Sequence, residues 1–340
     1  MDTKDSRGRA IAALAETAFL LERAHAQTHR TQAFRRAQGV IAALSTQEFD
    51  RRLASDTLQE LPGIGKSTGE IIRVAAMGQE PEYLRRVREE APPDPAGGES
   101  LVRALRGDLH AHSDWSDGGS SIAEMAETAR ALGHEYLALT DHSPRLTVAN
   151  GLSRERLERQ LDVVAELNER WDDFRILTGI EVDILDDGAL DQDQDLLESL
   201  DVVVASVHSK LRMPAHEMTP RMVAAIANPA TTVLGHCTGK MTSGRGDRRR
   251  VRPPSEFDAE LVFEACRQFG VAVEINSRPE RQDPPDELMA LALQMGCDFS
   301  IDTDAHAPGQ LAWLPLGAAR AAAVGVPVER IVNAGAWTAK

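Results

Sequence analysis

Short apolar runs that alternate with helical stretches are the feature that most restricts the fold of this 340-residue chain. They begin after residue 100, and their order is typical of βα units around a parallel sheet. Seven strands are predicted, near Arg106–Leu109, Tyr136–Thr140, Arg175–Ile180, Val202–Val207, Thr231–Gly235, Val271–Ile275 and Phe299–Thr303. Helices are predicted between them at Ile122–Leu132, Arg154–Trp171, Glu256–Phe269 and Pro285–Met295.

The first 90 residues have a different pattern. Apolar residues such as Ile11, Leu14, Ala18 and Leu21 recur at helical spacing, and no segment alternates as a strand would. The stretch 91–99 that follows contains three prolines and two glycines, a composition typical of linkers. We therefore predict a small helical domain at 1–90, a linker at 91–106 and an α/β domain at 107–340.

The net charge of −15 is unevenly distributed along the chain. Residues 1–90 hold 14 Lys+Arg and 13 Asp+Glu, which leaves 24 against 40, a net charge of −16, for residues 91–340. Carboxylates in such excess are expected where bound cations offset them. The overall charge therefore does not exclude a nucleic-acid substrate.

Cysteines and apolar segments indicate the compartment. Cys237, Cys266 and Cys297 are isolated in sequence and odd in number, so no disulfide framework is predicted. No segment has the roughly 20 apolar residues of a membrane span, and the N-terminus does not resemble a signal peptide. We expect a cytoplasmic protein without a membrane partner, and no segment identifies a protein partner.

Histidines recur at one structural position, the downstream ends of the predicted strands. In a barrel of parallel strands these ends meet at one mouth, where such enzymes carry out their chemistry. Neutral imidazole and carboxylate together are ligands that borderline divalent metals prefer. The residues at these ends that are candidate ligands are Asp108, His110, His112, Asp117, Asp141, His142, Glu181, His208, His236, Asp304 and His306.

The motifs around these residues resemble the PHP (polymerase and histidinol phosphatase) domain, in the form found in bacterial family X DNA polymerases. They are Gly107-Asp108-Leu109-His110-Ala111-His112, Ser116-Asp117-Gly118, Thr140-Asp141-His142, Gly179-Ile180-Glu181, Val207-His208, Gly235-His236, Glu274-Ile275-Asn276 and Asp304-Ala305-His306. The resemblance covers residues 107 to about 337. It implies a distorted seven-stranded (β/α) barrel that holds up to three metal ions.

The resemblance also implies a distribution of ligands. One ion would be held by His110, His112, Glu181 and Asp304, and a second by Asp117, His142 and His306. Glu181 would bridge to a third ion held by His208 and His236, and Asp304 would be able to bridge the first two. The donor set suits manganese, zinc or iron about equally.

Such a metal cluster is suited to phosphoester hydrolysis, because closely spaced cations generate hydroxide at neutral pH and neutralise the phosphoryl oxygens. We assign Asp304, Glu181 and His306 as catalytic residues. His25, His29, His134 and His216 lie outside the pattern and are expected to be structural. Glu274 is expected either to orient a ligand or to be a buried acceptor.

Substrate contacts are predicted on two loops. Asn276, Arg278 and Arg281 follow the sixth strand towards the mouth, where a guanidinium would bind a phosphate. Arg245 and Arg248 belong to the run 245–252, a strongly basic insertion that would guide a polyanion. For both loops the alternative is a solvated surface.

The segment 60–72 resembles a helix-hairpin-helix motif. Gly63 and Gly65 allow a tight turn that exposes backbone amides at a helix N-terminus, and with Lys66 they are the predicted DNA contacts. Residues 1–90 are thus similar to the small N-terminal domain of family X polymerases, although the chain lacks room for a palm. The position aligned with the lyase lysine of some relatives is Ile71, which makes lyase chemistry doubtful. A protein-docking bundle is the alternative.

Together these features predict a metal-dependent phosphoesterase that acts on DNA in repair or end processing. The reaction would be that of a 3′ exonuclease, a 3′ phosphatase or an abasic-site endonuclease. One alternative is a small-molecule phosphatase of the histidinol-phosphate type. Another is a DNA-end binding module that lacks catalysis.

Overall fold

A computed structural model of the chain describes residues 6–243 and 250–337. The chain divides into two compact units, Met1–Pro93 and Asp94–Lys340, each with its own hydrophobic core. None of the described helices is both long and apolar enough to cross a bilayer.

The first unit is entirely helical, as its 3.6-residue periodicity predicts. Its helices are α1 (Ser6–Arg23), α2 (Thr28–Ala43), α3 (Thr46–Ala54), α4 (Lys66–Ala76) and α5 (Glu82–Glu90). The apolar stripes of these helices face a shared core whose fully buried members include Leu14, Ile41 and Phe49. Ser45 caps α3 by accepting a hydrogen bond from the backbone N–H of Glu48 at 3.2 Å.

The second unit is built on one seven-stranded parallel sheet whose strands are hydrogen-bonded in chain order, apart from two short strands of a separate hairpin. Its strands are β1 (Gly107–Ala111), β2 (Tyr136–Leu139), β3 (Arg175–Asp183), β4 (Val202–Ser206), β5 (Val233–Leu234), β8 (Ala272–Asn276) and β9 (Phe299–Asp302). All seven predicted strands are present, and the sheet curls into a nearly closed barrel surrounded by helices. The predicted fold class is therefore confirmed.

Helices connect and cover the strands. They are α6 (Glu99–Ala104), α7 (Ile122–Ala131), α8 (Arg154–Asn168), α9 (Gln194–Glu198), α10 (Ala215–Ile226), α11 (Ala259–Phe269), α12 (Asp286–Gln294) and α13 (Leu314–Val324). Helix α6 lies inside the segment predicted as a linker, and its Leu101 is buried in the core of the second unit. Helix α10 contains Pro220, a residue that breaks a helical pattern in sequence and so hid this helix from prediction.

Two additional strands form an antiparallel hairpin after β5. They are β6 (Met241–Ser243) and β7 (Arg250–Arg252), with Met241 opposite Arg252 and Ser243 opposite Arg250. The sequence did not suggest this hairpin, since its strands are only three residues long. Arg245 and Arg248 lie outside the described residues.

The barrel closes where β1 meets β9. The backbone N–H of Leu109 donates to Asp302 at 2.8 Å, and that of Thr303 donates to Asp108 at 3.2 Å. The backbone N–H of His112 donates to the carbonyl of Ala305 at 2.8 Å. These contacts bring the first and last ligand-bearing segments side by side at the same mouth.

Candidate metal centre

Nine of the predicted ligands meet at the C-terminal ends of the barrel strands. His110 and Glu181 lie within β1 and β3, and the others lie just beyond a strand end or on the loop that follows β1. Parallel strands direct their C-terminal ends to one mouth, which explains how residues almost 200 positions apart converge. The nine are His110, His112, Asp117, His142, Glu181, His208, His236, Asp304 and His306.

Glu181 lies at the centre of this cluster. Its side chain is buried, with Oε1 2.9 Å from His236 Nε2 and 3.2 Å from His208 Nε2. Its other oxygen, Oε2, is 2.9 Å from His142 Nδ1 and 3.3 Å from His110 Nε2. His112 Nε2 is 3.6 Å from the same Oε2, so one carboxylate contacts five imidazoles, a position suited to bridging between cations.

Three groups within the cluster have ligand atoms that all lie within 4.8 Å of one another, in the described part of the chain. They are His112, Asp117, His142 and His306; then His110, His112 and Asp304; and then His142, Glu181 and His208. His112 and His142 each belong to two groups, whereas the family resemblance assigned each of them to a single ion. His236 belongs to none of the three groups and joins the cluster through its contact with Glu181, so the grouping differs in detail from the predicted distribution.

The pKa shifts of His112 and Asp304 favour the forms that bind a metal, whereas at His110 and His208 the nearby carboxylates outweigh burial and raise the pKa of the imidazole. Burial, together with the nearby His306 and His142, holds the pKa of His112 well below its ordinary value, so this imidazole is neutral. Burial alone would raise the pKa of Asp304, but the guanidinium groups of Arg278 and Arg281 outweigh it and hold that pKa well below its usual range. Both residues are therefore in the form that binds a cation.

Unpaired polar atoms support the same conclusion. Several buried nitrogens and one carboxylate oxygen of the cluster lie close to one another but form no well-oriented hydrogen bond with the described residues, a condition that costs about 1–3 kcal/mol for each atom. A divalent cation would satisfy them, and the mixed imidazole and carboxylate donors fit such an ion. These atoms are Nε2 of His110, Nδ1 and Nε2 of His112, Nδ1 of His142, Nε2 of His208, Nδ1 of His236 and Oε2 of Glu181.

Carboxylates behind the cluster orient its imidazoles. Glu274 Oε1 lies 2.6 Å from His110 Nδ1, and its Oε2 accepts the backbone N–H of His236 at 2.5 Å. Asp183 hydrogen-bonds Nδ1 of His208 in the same way. Such contacts fix the tautomer of a ligand and direct its other nitrogen into the site. Asp183 was not predicted to have a role, although its spacing of two residues from Glu181 on β3 places it on the same face.

The predicted substrate-binding residues of the sixth predicted strand, now β8, contact the ligands themselves. Arg278 donates to the carbonyl of Asp304 at 3.0 Å and lies 3.0 Å from His306 Nδ1. Arg281 donates to Asp304 Oδ2 at 2.9 Å, and its Nη1 is buried with no hydrogen-bond partner among the described residues. Asn276 donates weakly to Asp304 Oδ2 at 3.3 Å.

Two carboxylates that were considered as ligands do not face the cluster. Asp108 accepts hydrogen bonds from the backbone of His110 and from Thr303, and Asp141 accepts four hydrogen bonds from neutral groups. Neither residue belongs to any of the three ligand groups. Asp141 directly precedes His142 and Asp108 lies two residues before His110, but the oxygens of both carboxylates are already committed to other partners.

The turn of the helix-hairpin-helix motif in the first unit is exposed to solvent. Gly63 adopts φ 94°, Gly65 precedes α4, and Gly63, Gly65 and Lys66 are all exposed to solvent. The backbone N–H of Gly65 donates to Thr68 Oγ1 at 2.9 Å. Ile71, at the position aligned with the lyase lysine, is completely buried in the helical core.

Comparisons with known proteins identify both parts of the chain. Residues 108–278, half of the chain, match the PHP domain, and residues 7–76 match a helix-hairpin-helix domain. The DNA polymerase/3′-5′ exonuclease PolX of Bacillus subtilis is 42% identical over 202 residues, which cover 59% of this chain and 34% of that protein. The chain thus spans about a third of the length of this relative.

Shorter relatives match over most of their own length. A probable phosphatase of Thermoanaerobacter sp. (strain X514) is 29% identical over 210 residues, which cover 58% of this chain and 78% of that protein. A solved structure of the histidinol phosphate phosphatase of Lactococcus lactis, in complex with zinc, L-histidinol and phosphate, aligns with a TM-score of 0.47 and 17% identity over 65% of this chain and 94% of that chain.

The family match begins at the first ligand strand and contains seven of the nine clustered residues. The predicted resemblance is therefore confirmed. This chain belongs to the PHP domain family of metal-dependent phosphoesterases, and it carries a helix-hairpin-helix domain ahead of its PHP domain.

Proposed function

We propose that this protein hydrolyses phosphoesters of DNA, as a 3′ exonuclease, a 3′ phosphatase or an abasic-site endonuclease, in repair or end processing. The observation that carries the proposal is the convergence of nine candidate ligands, most of them buried, at one mouth of a chain that also has a helix-hairpin-helix domain. The cytoplasm is the proposed compartment, and the three free cysteines are compatible with it.

The nine residues would hold three divalent ions of manganese, zinc or iron. When bound, such ions lower the pKa of a coordinated water and neutralise charge on the phosphoryl oxygens. Asp304, Glu181 and His306 are the proposed catalytic residues. Glu181 contacts imidazoles of all three ligand groups, Asp304 Oδ1 lies 3.5 Å from both His112 and His306, and His306 lies at the open side of the mouth. Half-buried His306 lies 3.4 Å from Asp117 Oδ1, facing the more exposed part of the cluster.

The arginines of the β8 loop would act on both ligand and substrate. Arg278 is fully engaged with Asp304, His306 and Glu280, so its main effect is to hold the ligands in place. Arg281 uses Nε for Asp304 and retains an unpartnered Nη1, which would be available to a phosphoryl oxygen after a small movement.

The position and charge of the hairpin formed by strands β6 and β7 favour the proposal of a polyanionic substrate. The backbone N–H of Thr242 donates to the carbonyl of Glu280 at 2.7 Å, which attaches the hairpin to the loop that carries Arg278 and Arg281. Arg250 and Arg252 are exposed and two residues apart on β7, so their side chains lie on one face. Cations at this position would bind DNA phosphates that flank the reacting one.

The first unit would supply a second DNA contact. The turn that includes Gly63 and Gly65 exposes backbone at the start of α4, where amides bind phosphate oxygens without reading sequence. A relative of this chain bears the name of a polymerase with 3′-5′ exonuclease activity, which agrees with a DNA substrate. Lyase chemistry is not proposed, since Ile71 offers no amine.

The second candidate is a small-molecule phosphatase of the histidinol-phosphate type. The relatives named as probable phosphatases favour it, since the chain matches most of their length. In this case the helical unit would dock a protein or another copy of the chain. A catalytically silent DNA-end binding module is disfavoured, because such a module would not need nine intact ligands.

A substrate panel tests the proposal. Purified protein with manganese or zinc is given oligonucleotides with a 3′ phosphate, an abasic site or an unmodified 3′ end, and histidinol phosphate in parallel. We expect turnover of at least one oligonucleotide and an affinity for DNA that falls steeply with added salt. Fast turnover of histidinol phosphate alone, insensitive to salt, would establish the second candidate instead.

A further inference from the structure

Asp141 is a fully buried carboxylate that directly precedes the ligand His142. Its Oδ1 accepts hydrogen bonds from the backbone N–H of Ser113 at 2.8 Å and from the hydroxyl of Ser116 at 2.5 Å. Its Oδ2 accepts from the hydroxyl of Ser113 at 2.6 Å and from the side-chain amide of Gln160 at 2.6 Å. All four donors are neutral.

Burying a carboxylate without a cation is costly, and the four hydrogen bonds offset part of that cost. Three of them come from one loop, 113–119, which connects β1 to α7. The fourth comes from Gln160 on α8, which is itself buried. Asp141 therefore fastens this loop to two other elements of the barrel.

The loop 113–119 carries Asp117, the most exposed of the nine ligands. The Asp117 side chain is 37% exposed, whereas the next most exposed, His306, is 18% exposed. Asp117 Oδ1 lies 3.5 Å from His142 Nε2 and 3.4 Å from His306 Nε2. The position of Asp117 depends on the loop, because surrounding side chains restrain Asp117 less than they restrain the buried ligands.

Other contacts of the loop show how little freedom it has. The backbone N–H of Gly118 donates to the carbonyl of Ser113 at 2.9 Å, and that of Gly119 donates to the carbonyl of His306 at 2.7 Å. A Cβ at position 118 would lie 2.6 Å from backbone atoms of Ser113, so only glycine fits there. The hydrogen bond from Gly118 to Ser113 closes the turn, and Ser113 in turn donates two hydrogen bonds to Asp141.

We infer that Asp141 is a positioning residue that fixes the loop 113–119 and so presents Asp117 to the ion shared with His112, His142 and His306. The inference rests on the proposed function, because it takes Asp117 to be a metal ligand. Asp141 acts through the loop, since its own oxygens accept hydrogen bonds from Ser113, Ser116 and Gln160. Its removal should therefore weaken one ion of the cluster and spare those held by the fully buried ligands.

The test compares Asp141→Ala, Asp117→Ala and the double variant in the full chain. Metal content is counted by elemental analysis after dialysis, and manganese affinity is measured by calorimetry. We expect Asp141→Ala to weaken one ion by about 10–100-fold, the range typical for loss of a residue that orients a ligand. The double variant should lose no more than Asp117→Ala does, since both act on the same ion.

Two further variants separate positioning from general stability. Asp141→Asn should retain most of the affinity, because Ser113 can reverse its hydroxyl and Gln160 can rotate its amide to match an asparagine. Asp201→Ala is the matched control, since Asp201 is a carboxylate that accepts from Thr178 N and Oγ1 at 3.0 Å but precedes β4, away from the mouth. It should lower the melting temperature and leave all ions bound.

The outcomes separate the role of Asp117 as a ligand from the role of Asp141 in positioning the loop. Full retention of every ion in Asp117→Ala would overturn the ligand assignment on which the inference rests. Loss of an ion in Asp117→Ala combined with full retention in Asp141→Ala would overturn the positioning role alone. Equal weakening of all ions in Asp141→Ala, together with a large fall in melting temperature, would also overturn it, because that pattern indicates a purely structural residue.

Discussion

The side-chain amide nitrogen of Asn333 lies 2.9 Å from the carbonyl oxygen of Gly107, on the first strand of the barrel. The same nitrogen donates to the carbonyl of Ile301 at 2.8 Å, and its Oδ1 accepts the backbone N–H of Ile301 at 3.1 Å. Asn333 is completely buried. It thus joins β1 to β9 near the end of the barrel opposite the metal centre, where the two strands do not pair directly.

Replacing Asn333 with alanine should destabilise the barrel. The change leaves buried backbone groups of Gly107 and Ile301 without partners, which should lower the free energy of unfolding by about 3 kcal/mol. Urea denaturation measures this change. The matched control is Asn168→Ala, since Asn168 bridges the N–H and C=O of Ile176 at 2.8 and 2.9 Å in a half-buried position that water can reach. An equal and small loss in both variants would contradict the closing role of Asn333.

Substituting His110 or Asp304 with alanine should abolish hydrolysis of both oligonucleotides and chromogenic phosphate esters. Each residue belongs to the same ligand group and is buried at the centre of the site. The rate should fall by at least about 1,000-fold, because electrostatic stabilisation by the cations is lost. DNA binding, measured by fluorescence anisotropy, should be retained. Hydrolysis at the original rate in either variant would show that this cluster is not the active site.

Deleting residues 1–90 should separate DNA recognition from chemistry. The helical unit has its own core, so its removal is expected to leave the PHP domain folded. Turnover of a chromogenic phosphate ester should remain, whereas action on DNA should weaken. Comparison of kcat/KM for both substrates checks this. Unchanged DNA turnover would favour the alternative that the helical unit docks a protein.

Exchanging Arg250 and Arg252 for glutamine should weaken binding of single-stranded DNA and reduce its salt dependence. Each lost phosphate contact lowers the slope of log K against log salt by about 0.7 for single strands. Titrations at several salt concentrations measure the slope. Arg159→Gln is the control, because Arg159 is exposed on α8 at the side of the barrel. An equal slope in the wild type and the double variant would show that Arg250 and Arg252 do not contact DNA phosphates.

His134 should make the stability of the protein depend on pH below neutrality. Burial lowers the pKa of His134 to about 4, and its Nδ1 is buried without a hydrogen-bond partner in the described part of the chain. The unfolded chain, with a histidine pKa of about 6.5, takes up a proton first. The stabilisation from neutral His134 is therefore complete above about pH 6.5 and is lost as the pH falls towards 4, by at most about 3 kcal/mol.

The variant His134→Gln isolates this contribution from the other groups that titrate in the same range. The difference in free energy of unfolding between the variant and wild type should change between pH 7 and pH 4.5, with wild type losing more on acidification. Urea denaturation at a series of pH values follows this difference. A difference that is constant with pH would show that His134 is solvated and titrates normally in the folded protein.

Local sequence patterns were sufficient to predict the strands, the family and the convergence of the ligands. A strand buried on both faces needs a continuous apolar run, and a parallel barrel brings the ends of such runs together. For this reason residues as distant as His110 and His306 were predicted in one site, and the helix-hairpin-helix was visible from Gly63 and Gly65.

Only the tertiary structure decided which partner each of these side chains meets. Asp141 and His142 are adjacent in sequence, yet one accepts four hydrogen bonds from the protein while the other faces the ligand cluster. His112 lies between two ligand groups, and Asn333 reaches β1 across 226 residues of chain. Propensity and periodicity report the conformation of a segment, whereas these contacts depend on distances between segments that exist only after the barrel has closed.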